Sequence, residues 1–397
     1  MPTLIQINVT ANWGSTGKIA EDIGKLAIKN DFDSWIAYGR GYPQSKSELI
    51  RIGNDFDMKL HGIQTRLFDR HGLASKSTTK EFIEKIKQIN PDIIHLHNIH
   101  GYYLNYPILF DYLKKWGGPV VWTLHDCWPF TGHCSHYTFA KCDKWKTGCN
   151  NCPQLKEYPA SLLFDRSTKN FQDKKNAFLG LPNLTIVPVS NWLADQVAQS
   201  FLKDYPRKVI KNGIDLEIFK PKQVISKNLT KKIILGVASV WNDRKGLNDF
   251  KELKKLLPEN YDIILVGLTQ EQISSLPDGI TGIRRTENID QLVDLYNMAE
   301  VFVNPTLEDT FPTTNIEALA CGTPVITYKT GGSPEIIDSK TGIVIDYQDI
   351  NQLTEKIQLV CENSSFYSQE CRARAELLFD KNKAFQSYVN LFKSLLS

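Results

Sequence analysis

The sequence predicts an α/β protein of two Rossmann-like domains facing a central cleft, on three observations. Short β-branched runs alternate with helix-spaced apolar stretches along the chain, the pattern of parallel sheets covered by helices on both faces. Polar and glycine residues gather where those runs stop, as at His95, His97 and Asn98 or at Gly14 and Gly17. The 397 residues exceed one typical hydrophobic core and suit two. In such folds ligands sit outside the carboxyl ends of the strands.

In order along the chain, strands are expected over residues 4–9, 34–38, 93–97, 120–124 and 185–189. Between them Ile19, Ile23 and Leu26, and then Phe82, Ile83, Ile86 and Ile89, recur at helical spacing. The second half repeats the theme with strands over 233–237, 262–266, 301–304, 325–327 and 343–345. This divides the chain into an N-terminal domain (1–205) with a cysteine-rich insertion at 127–152, a linker (206–225), a second domain (226–375) and a closing helix (376–397). The linker is marked by Pro206, Asn212-Gly213 and Pro221.

Lysine and arginine number 47 against 44 acidic residues, so the formal charge of +3 gives no argument for nucleic acid. No apolar run is long enough to span a bilayer. The opening residues read as a strand without the pattern of a signal peptide. The expected compartment is therefore the cytoplasm, where thiols stay reduced.

The chemistry-bearing residues cluster at strand ends. Gly14 and Gly17 precede Lys18, but Ile19 stands where a Walker A motif needs Ser or Thr. What remains is a glycine-rich lip or a plain tight turn. Arg244 and Lys245 follow the first strand of the second domain, where adjacent cations suit a leaving diphosphate. The stretch from Thr306 to Ile326 holds a loop, a short helix and a strand. Thr310, Phe311, Pro312 and Thr313 lead into that helix, whose unpaired N–H groups suit phosphate. Asp309 and Glu317 bracket its start, and a carboxylate further in suits a ribose. In the first domain His95 and His97 share one strand face, and His125-Asp126 ends the next strand.

These strings resemble the retaining glycosyltransferases of family 4. The resemblance rests on Glu317-Ala318-Leu319-Ala320-Cys321-Gly322-Thr323-Pro324-Val325, on Gly331-Gly332-Ser333-Pro334-Glu335 and on Lys211-Asn212-Gly213-Ile214-Asp215. Asp309 stands where the family carries Glu, and Val240 where it carries an Arg. The resemblance implies the GT-B architecture, with an acceptor-side first domain, a donor-binding second domain and a last helix that crosses back to the first. It implies transfer of a sugar from a nucleotide-diphosphate-sugar to a glycan or lipid-linked acceptor, in making a bacterial surface polysaccharide such as capsule or lipopolysaccharide. On it His125, Asp309 and Glu317 are the catalytic candidates. Gly17, Arg244, Lys245, Thr310, Phe311, Pro312, Thr313 and Glu317 would bind the donor. Asn98, His100, Tyr102 and Asp126 would meet the acceptor. A sugar-nucleotide epimerase of similar fold and a noncatalytic carbohydrate-binding protein remain as alternatives.

No cofactor is expected for catalysis. The Asp31-Phe32-Asp33 and Asp55-Phe56-Asp57 strings do not follow a convincing buried strand, which argues against a metal–nucleotide site. Cys134, Cys142, Cys149 and Cys152 suit a structural zinc, with free thiols and disulfides as the other readings. Phe56, Leu60, Ile63 and Leu67 form a helical apolar stripe beside Lys59, Arg66, Arg70 and Lys76. The stripe is expected to pack on the core. Peripheral contact with the inner face of the cytoplasmic membrane is the second option.

Overall fold

The computed structural model describes residues 1–222, 231–362 and 364–397, with the side chains of 364–366 left aside. Residues 223–225 of the expected linker and 226–230 of the expected second domain lie outside the described residues. The chain forms two compact units, Met1–Lys211 with Ala384–Ser397, and Asn212–Lys383.

In the first unit β1 (Thr3–Thr10), β2 (Asp33–Arg40), β3 (Glu48–Arg51), β4 (Ile93–Leu96), β5 (Val120–Leu124) and β6 (Leu184–Pro188) form one sheet. The order is β3-β2-β1-β4-β5-β6, and the described pairings are all parallel. The helices are α1 (Gly14–Lys29), α2 (Asp55–Phe68), α3 (Lys76–Ile89), α4 (Tyr106–Trp116), α5 (Ser167–Phe178) and α6 (Asn191–Gln199). Every residue of β4 and β5 is buried, as expected of central strands covered on both faces.

The second unit builds the same design from β7 (Lys232–Val237), β8 (Tyr261–Val266), β9 (Ile280–Ile283), β10 (Val301–Asn304), β11 (Val325–Tyr328) and β12 (Gly342–Ile345). Its order, β12-β11-β10-β7-β8-β9, is the first sheet's order again. Its helices are α7 (Leu247–Leu256), α8 (Gln270–Ser274), α9 (Ile289–Met298), α10 (Thr313–Ala320), α11 (Ile350–Glu362) and α12 (Ser364–Leu378). The last helix, α13 (Lys381–Leu396), groups with the first unit from Ala384 onward. There Phe385, Tyr388, Val389 and Phe392 pack in one core with Leu4, Ile93 and Val121.

Two findings differ from the sequence expectations. Strands β3 and β9 were not anticipated. Both are four-residue edge strands, and β3 carries Glu48 and Arg51 at its ends, so neither offers a run of apolar residues. The stripe of α2 does not pack on the core. The residues α2 buries are His61 and Thr65, while Phe56, Leu60 and Ile63 are exposed. The inward face is set by hydrogen bonds: His61 Nε2 accepts the Gly72 N–H at 3.0 Å, and its Nδ1 meets Ser75 Oγ at 2.8 Å. Among the described residues no helix is long and apolar enough to cross a membrane.

Candidate active site

In each sheet the strand order reverses at one point, between β1 and β4 and between β7 and β10. Ligands in open parallel sheets bind outside the strand ends at such a point. In the second unit the loops that leave β7 and β10 carry the charge. Asn242 opens a turn by accepting the Lys245 N–H on its side chain at 3.1 Å. Gly246 ends that turn at φ 77, where an added Cβ would lie 2.6 Å from Pro305. Glycine therefore lets the β7 loop approach the β10 loop closely.

The two loops are stitched together. Leu307 donates its N–H to the Arg244 carbonyl at 2.7 Å. The Arg244 guanidinium bonds the Glu308 carboxylate, whose side chain is 1% exposed. A carboxylate buried so deeply needs a charged partner, and Arg244 supplies it. Lys245 Nζ lies 2.7 Å from Asp309 Oδ2, and Asp309 Oδ1 accepts the Phe311 N–H at 3.1 Å. Gly331, at φ 50, backs this loop so closely that a Cβ would lie 1.6 Å from the Asp309 carbonyl oxygen. The result is a pair of adjacent cations at the strand ends, each opposed by a carboxylate.

Helix α10 begins directly afterwards. Pro312 precedes it and supplies no side-chain cap; the Asn315 N–H turns back to the Pro312 carbonyl at 3.2 Å, which leaves the N–H groups of Thr313 and Thr314 at the helix end. Glu317 stands in the second turn, where the buried Tyr296 of α9 donates its hydroxyl to Glu317 Oε2 at 2.9 Å. Burial, reinforced by Glu317, raises the Tyr296 phenol, so it remains a donor. Thr310 and Phe311 are buried, with Phe311 against Phe379 at 6.0 Å between ring centroids, so the Phe311 ring packs in the interior.

The first unit fills its reversal point differently. Gln6 Nε2 donates to the Ala20 carbonyl at 2.7 Å, which turns Oε1 towards His97 Nε2 at 3.1 Å. An amide oxygen only accepts, so His97 Nε2 carries the proton. His97 Nδ1 is then the acceptor for His125 Nε2–H at 3.1 Å. This network assigns the tautomers and places the His125 lone pair on Nδ1. Burial pushes His125 down to about 4, against the pull of Asp126, and His95 down to about 3. Burial also holds His97 well below the ordinary range, with His95 and His125 adding to it. His95, His97 and His125 are neutral near pH 7.

Asp126 is anionic. Burial works to raise it, but His100, with nearby His136 and the Trp128 N–H, outweighs that and holds it at about 2. His100 spans Asp126 Oδ2 at 2.9 Å and the Tyr158 hydroxyl at 3.1 Å. Both its ring nitrogens are thus engaged within the protein, and it acts as a support for Asp126. Asn98 receives Tyr103 OH on its carbonyl at 2.9 Å and donates its N–H to Asn8 Oδ1 at 3.3 Å. Tyr102 takes φ 71 and lies on His71, with ring centroids 4.9 Å apart. Gly17 sits inside α1, where a Cβ would come within 2.6 Å of Thr10 Oγ1. Close packing on the end of β1 accounts for that glycine.

Two family models match the chain, "Glycosyltransferase Family 4" over residues 40–218 and "Glycosyl transferases group 1" over residues 231–363. This chain belongs to glycosyltransferase family 4. Along its whole length it is similar to WcaC of Escherichia coli, named for colanic acid biosynthesis, at 24% identity over 99% of this chain and 100% of the relative. A Campylobacter jejuni N-acetylgalactosaminyltransferase, whose name gives a diphospho-undecaprenol acceptor, is 29% identical over 49% of this chain and 56% of its own. Among solved structures, a sucrose-phosphate synthase from Thermosynechococcus elongatus matches with TM-score 0.73 at 18% identity, covering 100% and 99% of the two chains. Anabaena HepE, solved with UDP, matches with TM-score 0.68 at 15% identity, covering 99% and 100%. These likenesses establish a shared GT-B fold.

The glycosyltransferase's candidate residues thus fall into two sets. Asn98, His100, Tyr102, His125 and Asp126 gather near the ends of β4 and β5, and Arg244, Lys245, Asp309 and Glu317 near the ends of β7 and β10. The candidates omitted Gln6, Asn8, His97, Tyr296 and Glu308. Gln6 and Asn8 did leave a signal, as polar residues alternating with Ile5, Ile7 and Val9 in an otherwise apolar strand. Cys134, Cys142, Cys149 and Cys152 line one cavity of about 10 Å³ that His133 also borders. The Gly132 N–H points to Cys149 Sγ at 3.1 Å. All four thiols are free of disulfides, and among the described residues no group of three His, Cys, Asp or Glu side chains is placed so that it could hold a metal ion.

Proposed function

We propose that this glycosyltransferase is a retaining hexosyltransferase. It would move a sugar from a nucleoside-diphosphate-sugar to a lipid-linked or glycan acceptor in polysaccharide biosynthesis. The observation that carries the reading is the Arg244–Glu308 and Lys245–Asp309 array beside the uncapped start of α10. Lys245 and Arg244 neutralise the leaving diphosphate. Glu317, oriented by Tyr296, takes the ribose hydroxyls. Asp309 and the backbone of Thr310, Phe311, Pro312 and Thr313 face the transferred sugar and its phosphates. His125 offers an acceptor nitrogen to a sugar hydroxyl, with Asn98, Tyr102 and Asp126 on the acceptor side. The sugar C1–phosphate bond breaks as the acceptor oxygen bonds C1 on the same face, and the acceptor proton passes to the departing phosphate. The WcaC name and the lipid-linked acceptor of the Campylobacter relative support the substrate class. A lipid-linked acceptor lies at a membrane surface, so peripheral membrane contact belongs to the same reading.

The test is a calorimetric and hydrolytic screen of UDP-, GDP-, ADP- and dTDP-sugars with wild type and Glu317→Ala. One donor should bind and hydrolyse slowly, and the mutant should lose it. Conversion to an epimeric nucleotide sugar without acceptor would replace the transferase reading, and no nucleotide binding at all would end it. NMR of the released product's anomer tests retention. We propose further that the four-thiol cavity takes a structural zinc, its size and the Gly132 N–H···S contact supporting this. Metal analysis of the purified protein should find one zinc per chain, and a metal-free, fully folded protein would remove the proposal.

A further inference from the structure

Helix α2 turns its polar side inward and its apolar side out. Phe56, Leu60, Ile63 and Leu67 recur at helical spacing along one stripe opposite the buried His61 and Thr65. A second segment extends this face. Residues 162–164, Leu-Leu-Phe, come back to the end of α2, where Leu162 donates its N–H to the Arg66 carbonyl at 2.7 Å. The Phe164 ring stacks on Phe68, with centroids 5.8 Å apart. Phe56, Leu60, Ile63, Phe68, Leu162, Leu163 and Phe164 are each between 44% and 72% exposed. Scattered exposed apolar residues are ordinary, but a joined patch built from two segments marks an interaction surface.

Charge identifies what the patch meets. Lys59 and Arg66 are exposed on one flank of the stripe. Beyond Leu60 lies a pocket of about 260 Å³ lined by Arg70 and Lys76, and these two also border a groove of about 730 Å³. Lys80, Lys114 and Arg166 add to that groove, against Asp111 and Asp173. The acids at the start of α2 are engaged locally, Asp55 by Arg51 and Asp57 by the helix cap. An apolar ridge bordered by cations suits an anionic lipid surface, with the side chains at the acyl boundary and the cations at the phosphates. We propose that α2 and the 162–164 loop form one lipid-facing surface that seats the first unit on an anionic bilayer. The proposal rests on the lipid-linked reading only for what the contact achieves, since the acceptor's sugar would then lie beside the strand ends of this unit.

The test is flotation with vesicles of equal parts phosphatidylglycerol and phosphatidylcholine, read without donor or acceptor so that it stands apart from the catalytic reading. Wild type should float in low salt and less so in high salt. The double variants Leu60→Ser/Ile63→Ser and Leu162→Ser/Leu163→Ser should each weaken binding at least about tenfold while leaving the melting temperature unchanged. Lys59→Glu/Arg66→Glu should abolish the preference for anionic over pure phosphatidylcholine vesicles. Wild type that stays unbound, or apolar variants that float as wild type does, would overturn the proposal. So would a vesicle-free dimer that Leu60→Ser/Ile63→Ser dissociates, since a second copy would then cover the patch.

Discussion

The two units share one strand order and fill its reversal point with opposite chemistry. In the second unit the ends of β7 and β10 hold two cations and two carboxylates, tied across loops by Arg244–Glu308 and Lys245–Asp309. In the first, the ends of β4 and β5 hold neutral imidazoles linked from Gln6 of β1 through His97 to His125. The lesson is that fold supplies the place and the loops supply the task. A charged lip meets a ligand whose charge changes during reaction. A chain of neutral donors and acceptors instead suits an uncharged ligand, and it is insensitive to pH above the low pKa values that burial imposes.

If that contrast is right, the largest loss comes from removing charge at the second site. Lys245→Ala should lower kcat/KM by about 10²–10³-fold, the scale of losing one preorganised donor at a developing negative charge. Steady-state kinetics with the donor found in the screen measures it. A loss under about threefold would make Lys245 a structural partner of Asp309 only.

Acid should act on the buried imidazoles of the first unit. Burial holds His61 and His125 down to about 4 and His95 down to about 3. An unfolded histidine titrates near 6.5. Between pH 6.5 and those folded values the unfolded chain takes up protons that the folded chain refuses, so stability falls with pH across that window. Thermal melts from pH 7 to pH 4 should drop steadily. A flat profile would mean the imidazoles take up protons as readily in the folded chain as in the unfolded one.

Gly331→Ala sharpens the comparison from the side of backbone geometry. At φ 50, with the Asp309 carbonyl where a Cβ would go, alanine must move the loop that carries Asp309. About 1–3 kcal/mol of stability should be lost, on the scale of a strained backbone position, together with donor affinity. Denaturant unfolding and calorimetry read the two separately. Donor affinity unchanged in the variant would detach this loop from the site.

The sequence made the central strands and the second site's strings legible because both are local. Residues 93–97 and 120–124 are apolar runs that end in polar clusters, and Glu317 to Val325 is one continuous string. The pairings were not legible. Arg244 and Glu308 are 64 residues apart, and His97 and His125 are 28 apart. Only the folded sheet brings such loops together. The stripe on α2 was readable as a period, but periodicity does not say which side faces in. That choice belongs to the hydrogen bonds of His61.

The smallest expected effect tests the imidazole chain itself. Gln6→Glu keeps an oxygen facing His97 but loses the donor to Ala20. A carboxylate beside His97 favours its imidazolium form. Protonated His97 donates from Nδ1, so His125 must accept on Nε2 and carry its proton on Nδ1, the reverse of its present tautomer. His125 would then present a donor where it now presents an acceptor. A loss of about tenfold in kcat should follow, as for one misdirected hydrogen bond, with a new pH dependence as His97 titrates. Nitrogen-15 NMR of the histidines reads the tautomer directly. A normal rate with the tautomer reversed would remove His125 from contact with the sugar and leave the chain as internal scaffolding.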